Sequence, residues 1–143
     1  MESSQLEKLR SAGECYSILL RLEKITEIQI GKLGTFKFSA GYYIYTGRAK
    51  HGMDARLKRH QAKSKIKHWH IDYLTTHASF EFIDSVIHSE PAHQECHIHQ
   101  LMLQWPDAKV LIPGFGSSDC RSTCGSHLIY FTTRPNWNDY DFQ

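Results

Sequence analysis

Five side chains, Tyr16, Tyr45, Arg56, His60 and Glu95, are of the types that hydrolysis of a phosphodiester calls for. That reaction needs a water deprotonated and aimed in line, positive charge beside the developing oxyanions, and often a metal ion. A phenol can orient or deprotonate the water, and a guanidinium neutralises equatorial oxygens with bidentate geometry. One carboxylate is enough to seat a Mg²⁺ that keeps most of its waters. By residue type alone, Tyr16 and Tyr45 serve equally well as half-buried strand residues, and Arg56 as helix surface.

The charge distribution sharpens the choice. Residues 48 to 67 hold Arg48, Lys50, Arg56, Lys58, Arg59, Lys63, Lys65 and Lys67 against a single acid, Asp54. The remainder carries nine basic and fourteen acidic residues, so a formal net charge of only +2 hides a strongly cationic window. That asymmetry is the footprint of a polyanion-binding face, and also of a solvated helix face.

"KHWHIDY" at 67–73 adjoins the window. Trp69 can stack on an unpaired base, a contact worth roughly 1–3 kcal/mol, and Lys67, His68 and His70 can reach phosphates. The plainer alternative has Trp69 packing a second helix onto a sheet, with Asp72 fixing a histidine tautomer. The nucleic-acid-binding candidates are therefore Arg48, Lys50, Arg59, Lys63, Lys67, Trp69 and His70.

Two further groupings carry less. Cys120, Cys124 and His127, with Cys96, His97 and His99 elsewhere, offer thiolate and imidazole ligands for a structural zinc. Cys-x₃-Cys-x₂-His is not a standard zinc spacing and lacks a fourth ligand, so buried reduced thiols are the main expectation. "GFGSSDC" can expose backbone N–H groups to an anion or simply turn a corner. No helix-forming run follows it, which excludes a nucleotide-binding P-loop; Asp119 is a distant candidate for a second carboxylate.

The elements that must position these groups follow from periodicity. "CYSILLRL" reads as a strand with Tyr16, Ile18, Leu20 and Leu22 on one face. "EIQIGKLGTFKFSAGYYIYTG" reads as further strand with turns at its glycines, the last ending the strand in a tight turn at Gly47. "MDARLKRHQAKSK" suits a helix that sets Arg56 and His60 at i and i+4, with Arg59 and Lys63 adjoining. "KHWHIDYLTTH" gives a short second helix and "SFEFIDSVIH" a strand. "SEPAHQECHIHQLMLQW" gives a helix capped by Ser89, with Pro91 in its first turn and Leu101 and Met102 on its buried side. "SHLIYF" is a closing strand. The order predicts an α+β (mixed α/β) fold, with a small central antiparallel sheet flanked by helices.

At 143 residues and 41% hydrophobic content, one soluble domain is expected over residues 14 to 133. Residues 1 to 13 form a polar arm and 134 to 143 a polar, aromatic tail. No apolar run approaches a membrane span, the start lacks an apolar signal core, and the scattered cysteines suggest no secreted disulfide framework. A cytoplasmic protein with no membrane partner is expected.

The ordered motifs "CY" (Cys15, Tyr16), "YTG" (Tyr45 to Gly47), "RLKRH" (Arg56 to His60) and "QEC" (Gln94 to Cys96) resemble those of the GIY-YIG nucleases. "GYYIYTG", "HWHIDYL", "EC" and "PGFGSSDC…SHLIYF" resemble the Uri-type subgroup, a domain of unknown function found alone or fused to DNA-repair glycosylases. The resemblance spans roughly residues 14 to 131. It implies that Tyr16 contacts the attacking water, and that Tyr45 lines the site and holds phosphate or metal-bound water. Arg56 would stabilise the transition state, His60 assist at the phosphate, and Glu95 ligate Mg²⁺ or Mn²⁺. Glu14-Cys15-Tyr16 keeps only the tyrosine of the usual Gly-Ile-Tyr, Thr46 replaces an apolar residue, and the late Asn of many such nucleases has no counterpart in the matched region.

The resemblance implies a metal-dependent endonuclease acting on DNA, in repair or processing. Single-stranded or structured DNA is slightly favoured on Trp69, RNA remains an option, and a protein partner could supply specificity. The alternatives are a non-catalytic nucleic-acid-binding module of the same fold and a zinc-stabilised interaction domain.

Overall fold

Nine consecutive residues, Glu14–Leu22, form the strand around which the molecule is built (β1). Its alternate positions point to opposite faces, and both sets are buried: Tyr16, Ile18, Leu20 and Leu22 on one, Cys15, Ser17 and Leu19 on the other. Burial on both faces makes this a central strand, and β1 lies between two partners. The computed structural model describes residues 13–91, 95–116 and 125–139.

Chain order continues with β2 (Thr26–Ile30), β3 (Gly34–Phe38) and β4 (Gly41–Ala49). Three helices and two strands follow: α1 (Met53–Gln61), α2 (Asp72–Thr75), β5 (Phe80–Pro91), α3 (Glu95–Leu103) and β6 (Leu128–Phe131). A 3₁₀ turn at Trp137–Asp139 closes the described chain. The main sheet has the order β5-β1-β4-β6, antiparallel throughout, and β2 with β3 forms a separate two-stranded sheet. The α+β class with a small antiparallel sheet is as the sequence predicts.

The two faces of the main sheet bury two cores. On the Tyr16 face, Ile18, Leu20, Tyr43 and Tyr45 pack with Ile28, Ile30 and Phe38 of the hairpin, Ile71, Leu74 and Phe115. On the opposite face, Cys15, Leu19, Ile44 and Ile129 pack under α3 through Ile98 and Met102, with Trp105 and Trp137. Trp137, assigned to a tail by the sequence, is thus part of the second core. Leu19 and Leu20 are each 1% exposed, and truncating either to Ala would cost about 2–5 kcal/mol, from lost burial and the cavity left behind.

Three local expectations are corrected. Gly47 does not end a strand: β4 runs on to Ala49, and the sharp change of direction falls at Gly52, with φ 65°, just before α1. Ser89 and Pro91 do not start a helix. They close β5, which pairs with β1 as far as Glu14↔Pro91, and a proline is tolerated there because β5 is an edge strand. Finally, α1 stops at Gln61, and Ala62 is already extended, so Lys63 and Lys65 lie beyond the helix. Met102 is fully buried and Leu101 only partly so. Among the described residues, no helix is long and apolar enough to cross a membrane.

Candidate active site

Tyr16 and Tyr45 reach the same place from neighbouring strands. The register pairs Tyr16 with Gly47 and Ile18 with Tyr45, which puts both phenols on the α1 side of the sheet. Gly47 makes the approach possible: a Cβ there would meet the Tyr16 hydroxyl at 2.6 Å and the Tyr45 ring at 3.0 Å. The glycine following Tyr45 and Thr46 is therefore a space for the first tyrosine rather than a turn.

His60 comes down from α1 onto this pair. Its Nε2 lies 2.6 Å from the Tyr16 hydroxyl, and its ring centroid is 5.3 Å from that of Tyr16 and 6.2 Å from that of Tyr45. Tyr16 and His60 are each 1% exposed, and burial dominates their chemistry. It pushes Tyr16 up to about 12, against the lowering effect of Arg56, and it raises Tyr45 well above the usual phenol value. His60 is pushed down to about 3, first by burial and then by Lys65. All three are neutral around pH 7.

Arg56, one turn before His60, lies at the rim. Its Nη1 donates to the Arg48 carbonyl at 2.9 Å, and its guanidinium lies 4.4 Å from the centre of the Trp69 ring. With Tyr45, Arg48, Lys50, Trp69 and Glu95 it lines a cleft of about 470 Å³, whose walls also include His51, His68, His70 and Gly116. Tyr16 and His60 sit behind this wall and do not line it.

Glu95, at the start of α3, is the one carboxylate among the described lining residues. Its Oε1 is 3.8 Å from Arg48 Nε and its Oε2 3.7 Å from His127 Nδ1. Burial and Arg48 lower His127 to about 4, so its contact with Glu95 is polar rather than an ion pair at neutral pH. A divalent cation of the hard type fits this donor set, since such ions bind through one or two carboxylates and take the rest of their oxygens from water and phosphate.

The predicted binding residues divide. Arg48 and Lys50 are exposed on the cleft, and Trp69 and His70 line it half-buried. Trp69 carries Arg59 as well as Arg56 against its ring, at 4.5 Å. Arg59 is committed to Asp72 by two 2.8 Å hydrogen bonds, and Lys63 donates to the carbonyls of His77 and Phe80. Lys67 lies 5.7 Å above the Tyr73 ring. His70 Nδ1 accepts from the Gly116 N–H at 2.8 Å, which identifies that nitrogen as unprotonated, in keeping with the lowering of His70 by burial.

Two participants entered the sequence reading only in other roles. Among the described residues Asp72 bonds no histidine side chain; it accepts from Arg59 and from the backbone N–H groups of His68 and Trp69. Burial raises its pKa, but these hydrogen bonds outweigh that and hold it ionised. Its signal in the sequence was an acid three and four residues after two potential backbone donors. His127, one of the zinc candidates, contacts Glu95 and Cys96 Sγ, the latter at 3.4 Å from Nε2. Cys120, Cys124, Asp119 and Gln94 lie outside the described residues. Among the described residues no group of three His, Cys, Asp or Glu is placed to hold a metal ion, and Cys96 is disulfide-bonded where reduced thiols were expected.

No curated protein and no solved structure matches the chain. A family model described as Domain of unknown function DUF123 matches residues 15–140. With that match covering most of its length, the chain belongs to the DUF123 family.

Proposed function

We propose that this protein is a metal-dependent phosphodiester hydrolase of the GIY-YIG type that cuts DNA at the cleft between α1, β4 and α3. One observation carries the reading: Tyr45, Arg56 and Glu95, from three separate elements, line one cationic cleft, and Tyr16 of a fourth element, bonded to His60, packs directly behind Tyr45.

The division of labour follows from charge and burial. Arg56 and Arg48 are guanidiniums facing the cleft, beside the Lys50 ammonium, and they neutralise non-bridging phosphate oxygens as charge builds up. Tyr45 lines the cleft as a neutral phenol and orients the phosphate or the attacking water by hydrogen bonding. Tyr16, raised to about 12 and held to His60, is a poor resting base, and His60, lowered to about 3, is a poor proton acceptor. The pair therefore positions rather than titrates, and fixes Tyr45 and Arg56 from behind. Glu95 would hold a Mg²⁺ or Mn²⁺, which when bound supplies further charge neutralisation and acidifies water.

The cleft favours backbone over bases. Trp69, the side chain best suited to base stacking, already lies against two guanidiniums. Abasic and base-bearing strands are accordingly expected to be cut at similar rates.

The test is cleavage of single-stranded, duplex and branched DNA, and of RNA, with Mg²⁺ or Mn²⁺, beside Glu95→Ala protein. Metal-dependent cutting that falls about 10²-fold or more in the variant is expected. The claim is falsified if the unmodified protein cuts none of these substrates. Retained substrate binding without cutting would favour the non-catalytic module instead.

A further inference from the structure

Arg56 projects from α1, donates to the Arg48 carbonyl, shares a side-chain hydrogen bond with the Tyr16 phenol behind the cleft wall, and rests against the face of Trp69. What holds that indole in place therefore also helps to hold Arg56. We infer that Asp72 is a positioning residue for the cleft: acting through Arg59 and Trp69, it fixes the surface against which the Arg56 guanidinium is set. The inference rests on the hydrolase reading for what Arg56 does, but not for where Arg56 sits.

The connections are continuous. Asp72 is fully buried, and each of its carboxylate oxygens accepts from Arg59 at 2.8 Å. Oδ2 also accepts the backbone N–H groups of His68 at 2.8 Å and Trp69 at 3.0 Å. One carboxylate thus restrains the main chain of Trp69 and, through Arg59, the group lying against its ring. Arg59 is tied a third time, by Nη2 donating to the Ile66 carbonyl at 2.8 Å.

Charge explains why the carboxylate is needed. Two guanidiniums against one indole repel each other, and Arg59 lies beside a cleft that is already cationic. Asp72 neutralises Arg59 and turns it inward, leaving Arg56 as the cation on this wall that faces phosphate. Without that pairing Arg59 is released into the cleft, Trp69 loses a backbone anchor, and Arg56 loses its fixed orientation. A transition state that requires a bidentate guanidinium is sensitive to such a displacement, whereas ground-state attraction to a polyanion is not.

The experiment compares Asp72→Asn, Arg59→Lys and Trp69→Leu with the unmodified protein by two readouts. The first is the NMR signal of the Arg56 Nε–Hε group, assigned with Arg56→Lys, which reports restraint of that side chain whether or not the protein cuts DNA. The second is single-turnover cleavage of a short DNA duplex with Mg²⁺, alongside metal-free binding of the same duplex. We expect the Arg56 signal to move toward that of a mobile arginine in all three variants. Cleavage should fall about 10–10²-fold while duplex affinity changes by less than about threefold. An Arg56 signal and a cleavage rate unchanged in folded Asp72→Asn and Arg59→Lys proteins would overturn the inference. Should Asp72→Asn fail to fold, Arg59→Lys decides, since it keeps the charge and loses only the paired geometry. If the unmodified protein cuts nothing, the hydrolase reading fails, and the NMR result alone still decides the role of Asp72.

Discussion

Adjacent residues of β1 make the same kind of bond on opposite faces of the sheet. Tyr16 meets His60 Nε2 at 2.6 Å, and Ser17 meets His88 Nε2 at 2.9 Å. Each is a buried hydroxyl against a buried histidine, and each histidine is held neutral by burial, at about 3 for His60 and about 4 for His88. Residue chemistry alone does not distinguish them. Their surroundings do: Ser17 is also bonded to Thr46 and lies 4.0 Å from Met102 Sδ, an enclosed polar knot under α3. Tyr16 abuts Tyr45, which opens onto a cleft lined by Arg56, Arg48 and Glu95. A hydroxyl–histidine pair becomes a candidate for chemistry when charge and access to substrate lie beside it; otherwise it is a device for burying polar atoms.

The most severe break in this comparison is Arg56→Ala. It removes transition-state charge from the Tyr16 face and should lower the single-turnover rate about 10²–10³-fold, with the melting temperature nearly unchanged. An equal loss of rate and stability would mean that Arg56 is structural.

Acid challenges both faces together. His60, His88, His99 and His127 all have folded-state pKa values of about 3 to 4, lowered by burial from 6.5. The folded state binds fewer protons than the unfolded one between these limits, so their stabilisation is complete above pH 6.5 and is lost as pH falls toward 4. Each unit of depression corresponds to about 1.4 kcal/mol per group. The urea midpoint should therefore drop steeply from pH 7 to pH 4.5; a flat or rising midpoint would show that these histidines are charged in the native state.

The smallest effects separate the cations that face the cleft from those tied to the fold. Lys50→Ala should reduce the salt dependence of DNA affinity by about one phosphate contact. Lys63→Ala should leave that slope unchanged, because its ammonium is bound to the His77 and Phe80 carbonyls. Equal effects from the two would return the whole basic window to one undifferentiated patch.

What the sequence disclosed was periodic or local. Alternation put Tyr16 on the same side as Ile18, Leu20 and Leu22, and helical spacing put Arg56 and His60 on one face. What it withheld depended on partners distant in the chain. Gly47 looked like a turn because the Tyr16 phenol that requires its bare Cα is 31 residues earlier. Ser89 and Pro91 looked like a helix start because local signals do not register pairing with β1. Arg59 and Lys63 looked free because Asp72, His77 and Phe80 were not yet neighbours. Glu95 was placed by the order of motifs alone; its approach to Arg48 and His127 is a product of the fold.

The account is tested most directly by Tyr16→Phe and Ser17→Ala proteins, compared by single-turnover cleavage of duplex DNA and by urea denaturation. Both lose a buried hydroxyl that pairs with a histidine, at a cost of about 1–3 kcal/mol each. The account predicts that Tyr16→Phe slows cleavage by at least about tenfold while Ser17→Ala, equally destabilised, cuts within about twofold of the unmodified rate. Cleavage that is lost to the same extent in both, or lost only in Ser17→Ala, would contradict it.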